Sequence, residues 1–217
     1  MTAATLALEA MMLHPRYPEL AERLRALTPT GLLDQADAAA TDAYAILAAG
    51  AEHLGAKGVS PALAASVPGW IRLGVIDALT SYVNGSASTC PHNPDPARPQ
   101  PVLTAAWRPG LVVCRLCTHL LALPRQSAAD RTCDGCGYVC AGADDEDPIY
   151  PSMVQLGPVV YQYGACTRCN PATTSAGPLS ATLSQDPGNA RGTGTTGTRA
   201  TPRGRRGRGR RTGRRTA

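Results

Sequence analysis

Cys90-Pro91-His92, Cys114-Arg115-Leu116-Cys117, Cys133-Asp134-Gly135-Cys136 and Cys166-Thr167-Arg168-Cys169 are the stretches whose reading decides how this chain folds. All eight cysteines lie within the one segment these stretches span, Cys90 to Cys169. Two residues between cysteines let the backbone turn tightly enough for both sulfurs to face one cation, and Cys90-Pro91-His92 offers a fourth pair of potential ligands. Four two-ligand clips are enough for two four-coordinate sites, and a closed tetrahedron of N and S ligands is the habit of structural zinc. The expected ligands are Cys90, His92, Cys114, Cys117, Cys133, Cys136, Cys166 and Cys169, holding two structural Zn2+ ions.

Three groupings of the clips are open. The sequential one joins Cys90/His92 to Cys114/Cys117 and Cys133/Cys136 to Cys166/Cys169, closing each site with its nearest partner in the chain. A second joins Cys114/Cys117 to Cys133/Cys136, whose 15 intervening residues suit a common zinc spacing. The third is crossed. His119 is an alternative to His92, and Cys140, off the clip pattern, reads as a small buried residue. The loop residue Trp107 is expected to cover the metal core, and the acidic run Asp144 to Asp147 reads as a solvated loop tip.

Strand signals sit beside the clips. Leu111-Val112-Val113 runs into Cys114 and Leu120-Leu121 follows Cys117, a strand–knuckle–strand pattern. Val159 to Tyr163 is β-branched and aromatic and leads to Cys166. Gly137, just after Cys136, suits the positive φ of a tight knuckle. Clips carried on short strands resemble the zinc-ribbon class, in which β-hairpins bring C-x-x-C knuckles together around a metal. That resemblance implies a structural metal and contacts with nucleic acid or protein, with no fixed function. Few large apolar residues lie here, so metal is expected to be a condition of folding: zinc contributes about 10–16 kcal/mol in zinc-finger peptides, as much as a whole domain's net stability.

Residues 1–88 read as a small all-α domain. Pro18 with Glu19 in the next position suits a helix start. An Ala-rich helix is expected over roughly 32–54. Ser60-Pro61 reads as the start of a short helix ending near Val67. A last helix over roughly 70–83 repeats Ile71, Val75, Leu79 and Tyr82 at helical spacing and stops at Asn84-Gly85. His14 and His53 read as surface or packing residues. The fold class is therefore α+β: helical domain 1–88, two-zinc ribbon-like module 89–171, and a disordered tail 172–217.

Charge is unevenly spread. The net +5 is the sum of −3 over residues 1–89, −1 over 90–170 and +9 over 171–217. The tail is Thr/Ser/Gly/Pro/Arg-rich, without apolar periodicity. Eight arginines fall between positions 203 and 215: Arg203, Arg205, Arg206, Arg208, Arg210, Arg211, Arg214 and Arg215. Guanidinium groups pair with phosphate in bidentate fashion, glycine keeps the segment supple, and no aromatic is interleaved to stack on bases. A sequence-independent, salt-sensitive contact with nucleic acid is expected.

Catalytic signatures are missing. No H-x-E precedes a P-C-x-x-C, and no H-E-x-x-H, G-x-S-x-G or P-loop occurs. No run of apolar residues is long enough to span a membrane, and the opening MTAATLALEAMML lacks a positive start and contains Glu9. The expectation is a cytoplasmic, non-enzymatic zinc protein that engages nucleic acid through its tail. The alternative is a zinc-ribbon adaptor docked to a protein partner.

Overall fold

A computed structural model describes residues 2–54, 59–142, 145–170 and 180–184. Helix α1 (Ala3–Met12) is capped by the Thr2 hydroxyl, which accepts from the Thr5 N–H. Helix α2 (Tyr17–Leu27) has Pro18 in its first turn, and the long helix α3 (Thr30–His53) follows directly. Helix α4 (Gly69–Val83) is the last α-helix among the described residues.

The strands are β1 (Ser60–Leu63), β2 (Ser88–Thr89), β3 (Val102–Ala105), β4 (Arg108–Cys114), β5 (Tyr150–Leu156), β6 (Val159–Ala165) and β7 (Ser180–Ser184). They form one mixed sheet in the order β1-β7-β5-β6-β3-β4-β2. Two antiparallel hairpins, β3–β4 and β5–β6, make its centre and meet along a parallel β3–β6 seam.

Successive residues of these strands enter two different cores, as the period of a strand requires. Val102, Val112, Val154, Val159 and Tyr161 pack with Ile71, Val75 and Tyr82 of α4. Their neighbours Leu103, Val113, Met153 and Val160 pack with Ala43 and Leu47 of α3. The sheet is thus covered on both faces, which is why β3 is buried at every position and β6 at nearly every one.

The helices approach closely because their contact residues are small. α3 buries Ala39, Ala43, Leu47 and Ala51, one turn apart, and Gly50 lies directly against the Met153 side chain. On the other face Gly74 lies against the Tyr161 phenol. The Gln155 amide, buried in β5, donates to the Ala40 carbonyl at 2.7 Å and fastens α3 to the sheet. α1 is latched to α4 by the Thr5 hydroxyl donating to Asp77 at 2.7 Å and by a half-buried Arg72–Glu9 ion pair.

Two expectations are corrected. Residues 60–63 form strand β1, not the start of a helix, and only a single 3-10 turn, Ala64–Ser66, follows. Pro61 is tolerated because β1 is the outermost strand, where one row of N–H groups has no neighbour to bond. Leu120 and Leu121 are not a strand. They end a run of 3-10 turns, Arg115–Leu121, which continues the turn begun between Cys114 and Cys117. Strand β7, which pairs with both β1 and β5, is the described part of the segment from residue 172; the rest of that segment, with the eight terminal arginines, lies outside the described residues. Helix α4 and strand β6 fall where they were expected, and Gly137 has φ 75°.

Candidate metal centres

Each cluster forms where a central strand ends. β4 ends at Cys114, and the tight turn after it brings Cys117 back beside it. Cys90 follows β2, which pairs in parallel with β4, and the Cys90 N–H donates to the Val112 carbonyl at 3.3 Å. A turn closed by the Asn93 N–H on the Cys90 carbonyl then presents His92. Ligand atoms of Cys90, His92, Cys114 and Cys117 all lie within 4.8 Å of one another. His92 Nδ1 is 3.1 Å from Cys117 Sγ and 3.6 Å from Cys114 Sγ. His92 is exposed, and the three cysteines are buried.

The second cluster joins Cys133, Cys136, Cys166 and Cys169, again within 4.8 Å. Its first clip is a knuckle closed by the Cys133 N–H on the Tyr138 carbonyl at 2.7 Å and the Gly137 N–H on the Cys133 carbonyl at 2.8 Å. Its second clip follows the end of β6, where the N–H groups of Cys169 and Asn170 both donate to the Cys166 carbonyl.

The two clusters share a device. The N–H of the first cysteine in the strand-end clip donates to the sulfur of the first cysteine in the other clip. Cys114 N–H reaches Cys90 Sγ, and Cys166 N–H reaches Cys133 Sγ, each at 3.4 Å. Such N–H···S bonds favour the thiolate, the form that binds metal. For a tetrahedral ion with metal–sulfur bonds of about 2.3 Å, two sulfurs stand about 3.8 Å apart. Cys136 Sγ and Cys166 Sγ are 3.8 Å apart. That one pair is spaced as a tetrahedral ion would hold it, and all eight cysteines are free thiols.

Acidity follows from this crowding. Burial pushes the Cys90 thiol up, but N–H groups of Cys114 and His92 and neighbouring thiols outweigh it and bring it to about 7. The Tyr138 N–H does most to bring Cys136 to about 7. Burial, reinforced by their neighbours, pushes Cys117 up to about 11 and raises Cys166 and Cys169. In each cluster one thiolate forms readily and discourages the rest, until a cation offsets the accumulating negative charge.

Of the three groupings open from the sequence, the sequential one is the one the fold assembles. His119 is exposed and stands outside both clusters. Cys140 is outside them too, buried, with its N–H donating to the Arg131 carbonyl. Trp107 packs on the core that contains Cys90, Cys114 and Cys117, its Nε1–H donating to the Leu121 carbonyl at 2.8 Å.

Three residues of the second cluster escape a reading by motif. Asp134, between the cysteines of the knuckle, exchanges two bonds with Gly164 of β6. Its N–H donates to the Gly164 carbonyl at 2.8 Å, and its carboxylate accepts from the Gly164 N–H at 2.7 Å. Burial holds its carboxyl above the usual carboxylate range, against the lowering effect of the Gly164 N–H. Gly135 leaves no room for a side chain: a Cβ there would stand 2.9 Å from the Trp70 ring and 3.1 Å from Cys169 Cβ. Trp70, from α4, thus roofs the knuckle, and it also meets Tyr163 edge-on at 5.3 Å.

The clusters stand at opposite ends of the sheet. Cys114 is level with Val102, and Val102 with Val159 at the start of β6, whereas Cys166 follows its end. A seven-residue strand separates them, about 23 Å at ~3.3 Å per residue.

Fold and site together define a mixed-sheet protein, helices on both faces, with two Cys/His tetrads of a kind that can hold metal ions. Comparisons with protein-family models, with curated proteins and with solved structures find no match to this chain. No helix among the described residues is long and apolar enough to cross a membrane.

Proposed function

We propose that this is a non-enzymatic zinc protein in which two structural Zn2+ ions fasten opposite ends of the sheet, and that its Arg/Gly-rich C-terminal segment engages nucleic acid without regard to sequence. The observation that carries the metal reading is the convergence of two complete tetrads at the ends of β4 and β6. Soft thiolate and imidazole ligands in a tetrahedral set suit zinc. Four protein donors fill such an ion and leave no position for water or substrate, which favours a structural role over a catalytic one.

The nucleic-acid reading rests on charge. Residues 1–170 sum to −4 and residues 171–217 to +9, so a phosphate backbone has one attractive destination on the chain. The folded part organises the metal, and the arginines supply the affinity.

Native mass spectrometry of the full chain, followed by binding to mixed-sequence duplex DNA and to single-stranded RNA over a salt series, tests both parts. The expected result is two zinc ions per chain and an affinity that falls steeply with salt and hardly varies with sequence. One ion or none removes the metal assignment. A shallow salt slope, or a clear preference for one sequence, removes the tail assignment.

A further inference from the structure

The two tetrads differ in what they show to solvent. In the first, Cys90, Cys114 and Cys117 are 2, 6 and 5% exposed, and the member at the surface is the imidazole of His92. In the second, the member at the surface is a sulfur residue. Cys133 and Cys166 are buried and Cys169 is half-buried, but Cys136 is exposed, the one exposed cysteine of the eight.

The cause is local. Gly135 and Gly137 flank Cys136 in the knuckle, and both are exposed as well. Gly137 has φ 75°, a conformation that favours glycine, and a Cβ there would meet nothing within 4 Å. Neither chain neighbour of Cys136 therefore has a side chain to shield it. Behind it lies a second sulfur: Cys166, fully buried, places its Sγ 3.8 Å from Cys136 Sγ. Susceptibility of a cysteine to oxidation follows its exposure, and a sensitive cysteine needs a neighbouring thiol to resolve it. The second tetrad offers both, and the first keeps its sulfurs covered.

We propose that Cys136 is the site at which a hydroperoxide oxidises this protein, and that the oxidation ends in a Cys136–Cys166 disulfide that takes the second tetrad apart and spares the first. The consequence for metal rests on the structural-zinc reading above; the sulfur chemistry does not. The Cys136 thiolate attacks one oxygen of hydrogen peroxide, so that an S–O bond forms, the O–O bond breaks and hydroxide leaves. The Cys166 thiolate then attacks that sulfur, an S–S bond forms, the S–O bond breaks and a second hydroxide leaves. Two thiolates, one hydrogen peroxide and two protons give one disulfide and two waters, the two sulfurs supplying the two electrons that the peroxide accepts. Cys133 and Cys169 remain, two donors where a tetrahedral ion needs four.

Hydrogen peroxide, added to the zinc-loaded full chain in amounts below one per chain, gives the test. Native mass spectrometry counts ions before and after, and alkylation with peptide mapping shows which cysteines have reacted. The count before peroxide reads the metal proposal alone. After peroxide, the oxidised fraction should lose one ion, carry Cys136 joined to Cys166, and open Cys133 and Cys169 to alkylation while Cys90, Cys114 and Cys117 stay protected. Cys136→His exchanges the sulfur for a donor that zinc also accepts, and should keep its ion under the same treatment; loss as fast as from the unmodified chain overturns the proposal. If that variant fails to load, the order of oxidation in the unmodified chain decides. In a chain that carries no ion the metal reading fails, and the same mapping still decides this one: Cys136 should be the first cysteine oxidised. A first disulfide that excludes Cys136, or release from the first tetrad before or together with the second, overturns the proposal. A disulfide from Cys136 to Cys133 or Cys169 overturns the choice of Cys166.

Discussion

Gly135 carries no side chain because Trp70 and Cys169 occupy the space where one would sit. Adding a methyl must push the knuckle away from Cys169 or displace an indole that also packs on Tyr163. Gly135→Ala should therefore lower stability by about 1–3 kcal/mol, as overpacking does, and should speed metal loss from the second cluster in a chelator competition. Restored metal retention in Gly135→Ala combined with Trp70→Ala would identify the indole as the obstacle; retention unchanged in the single variant would remove the roof. His92 and His119 make a second pair of tests. His92→Ala should release one metal ion more readily, and His119→Ala should not, because only the first converges with sulfur. The residues of the two tetrads were legible because C-x-x-C spacing is a local property of the chain. Trp70 was not, because nothing in its own neighbourhood shows that it will meet a knuckle far along the sequence.

At the scale of elements, legibility depended on whether local chemistry and tertiary pairing agree. β6 announces itself with β-branched and aromatic residues, and α4 with its Ile71, Val75 and Tyr82 face. β1 has the residues of a helix start in Ser60-Pro61 and becomes a strand only because β7 pairs with it. The run after Cys117 reads as strand by composition, yet the tight turn of the clip carries on through it. The close approach of helices to sheet gives a prediction of opposite sign to local expectation. Gly→Ala inside a helix ordinarily stabilises by ~0.5–1 kcal/mol. Gly74→Ala should instead destabilise, because the Tyr161 phenol fills the site and is buried against α4. The urea midpoint of the variant, compared with Gly31→Ala, where the space is open, decides which effect wins. A Gly74→Ala protein with a raised midpoint would show that the ring gives way freely.

For the whole molecule, α3 and α4 proved to be the covering layers of the sheet, and Ala-rich contact faces hid this. Ala39, Ala43 and Ala51 of α3 suggest a self-contained helical packing, whereas their small size is what lets α3 lie close on β5. β7 sits between β1 and β5, so removing everything from residue 172 strips β1 of its neighbour and uncovers the edge of β5. Removing residues 185–217 leaves all seven strands and takes away ten arginines and one aspartate. The two truncations should behave differently. The chain ending at Ser184 should keep its thermal midpoint and both metal ions, while the chain ending at position 171 should melt lower. Both should lose most of their affinity for DNA and RNA. Each phosphate neutralised by an arginine steepens the fall of affinity by ~0.7–0.9 log units per log unit of salt. The slope of the full chain should thus reflect several phosphates, and that of the chain ending at Ser184 should approach zero. Full affinity in the chain ending at Ser184 would place the contact on the folded part, whose net charge of −4 over residues 1–170 offers phosphate no general attraction. The reader would then have to be a local basic surface, and the division between a metal-fastened sheet and an electrostatic tail would be wrong.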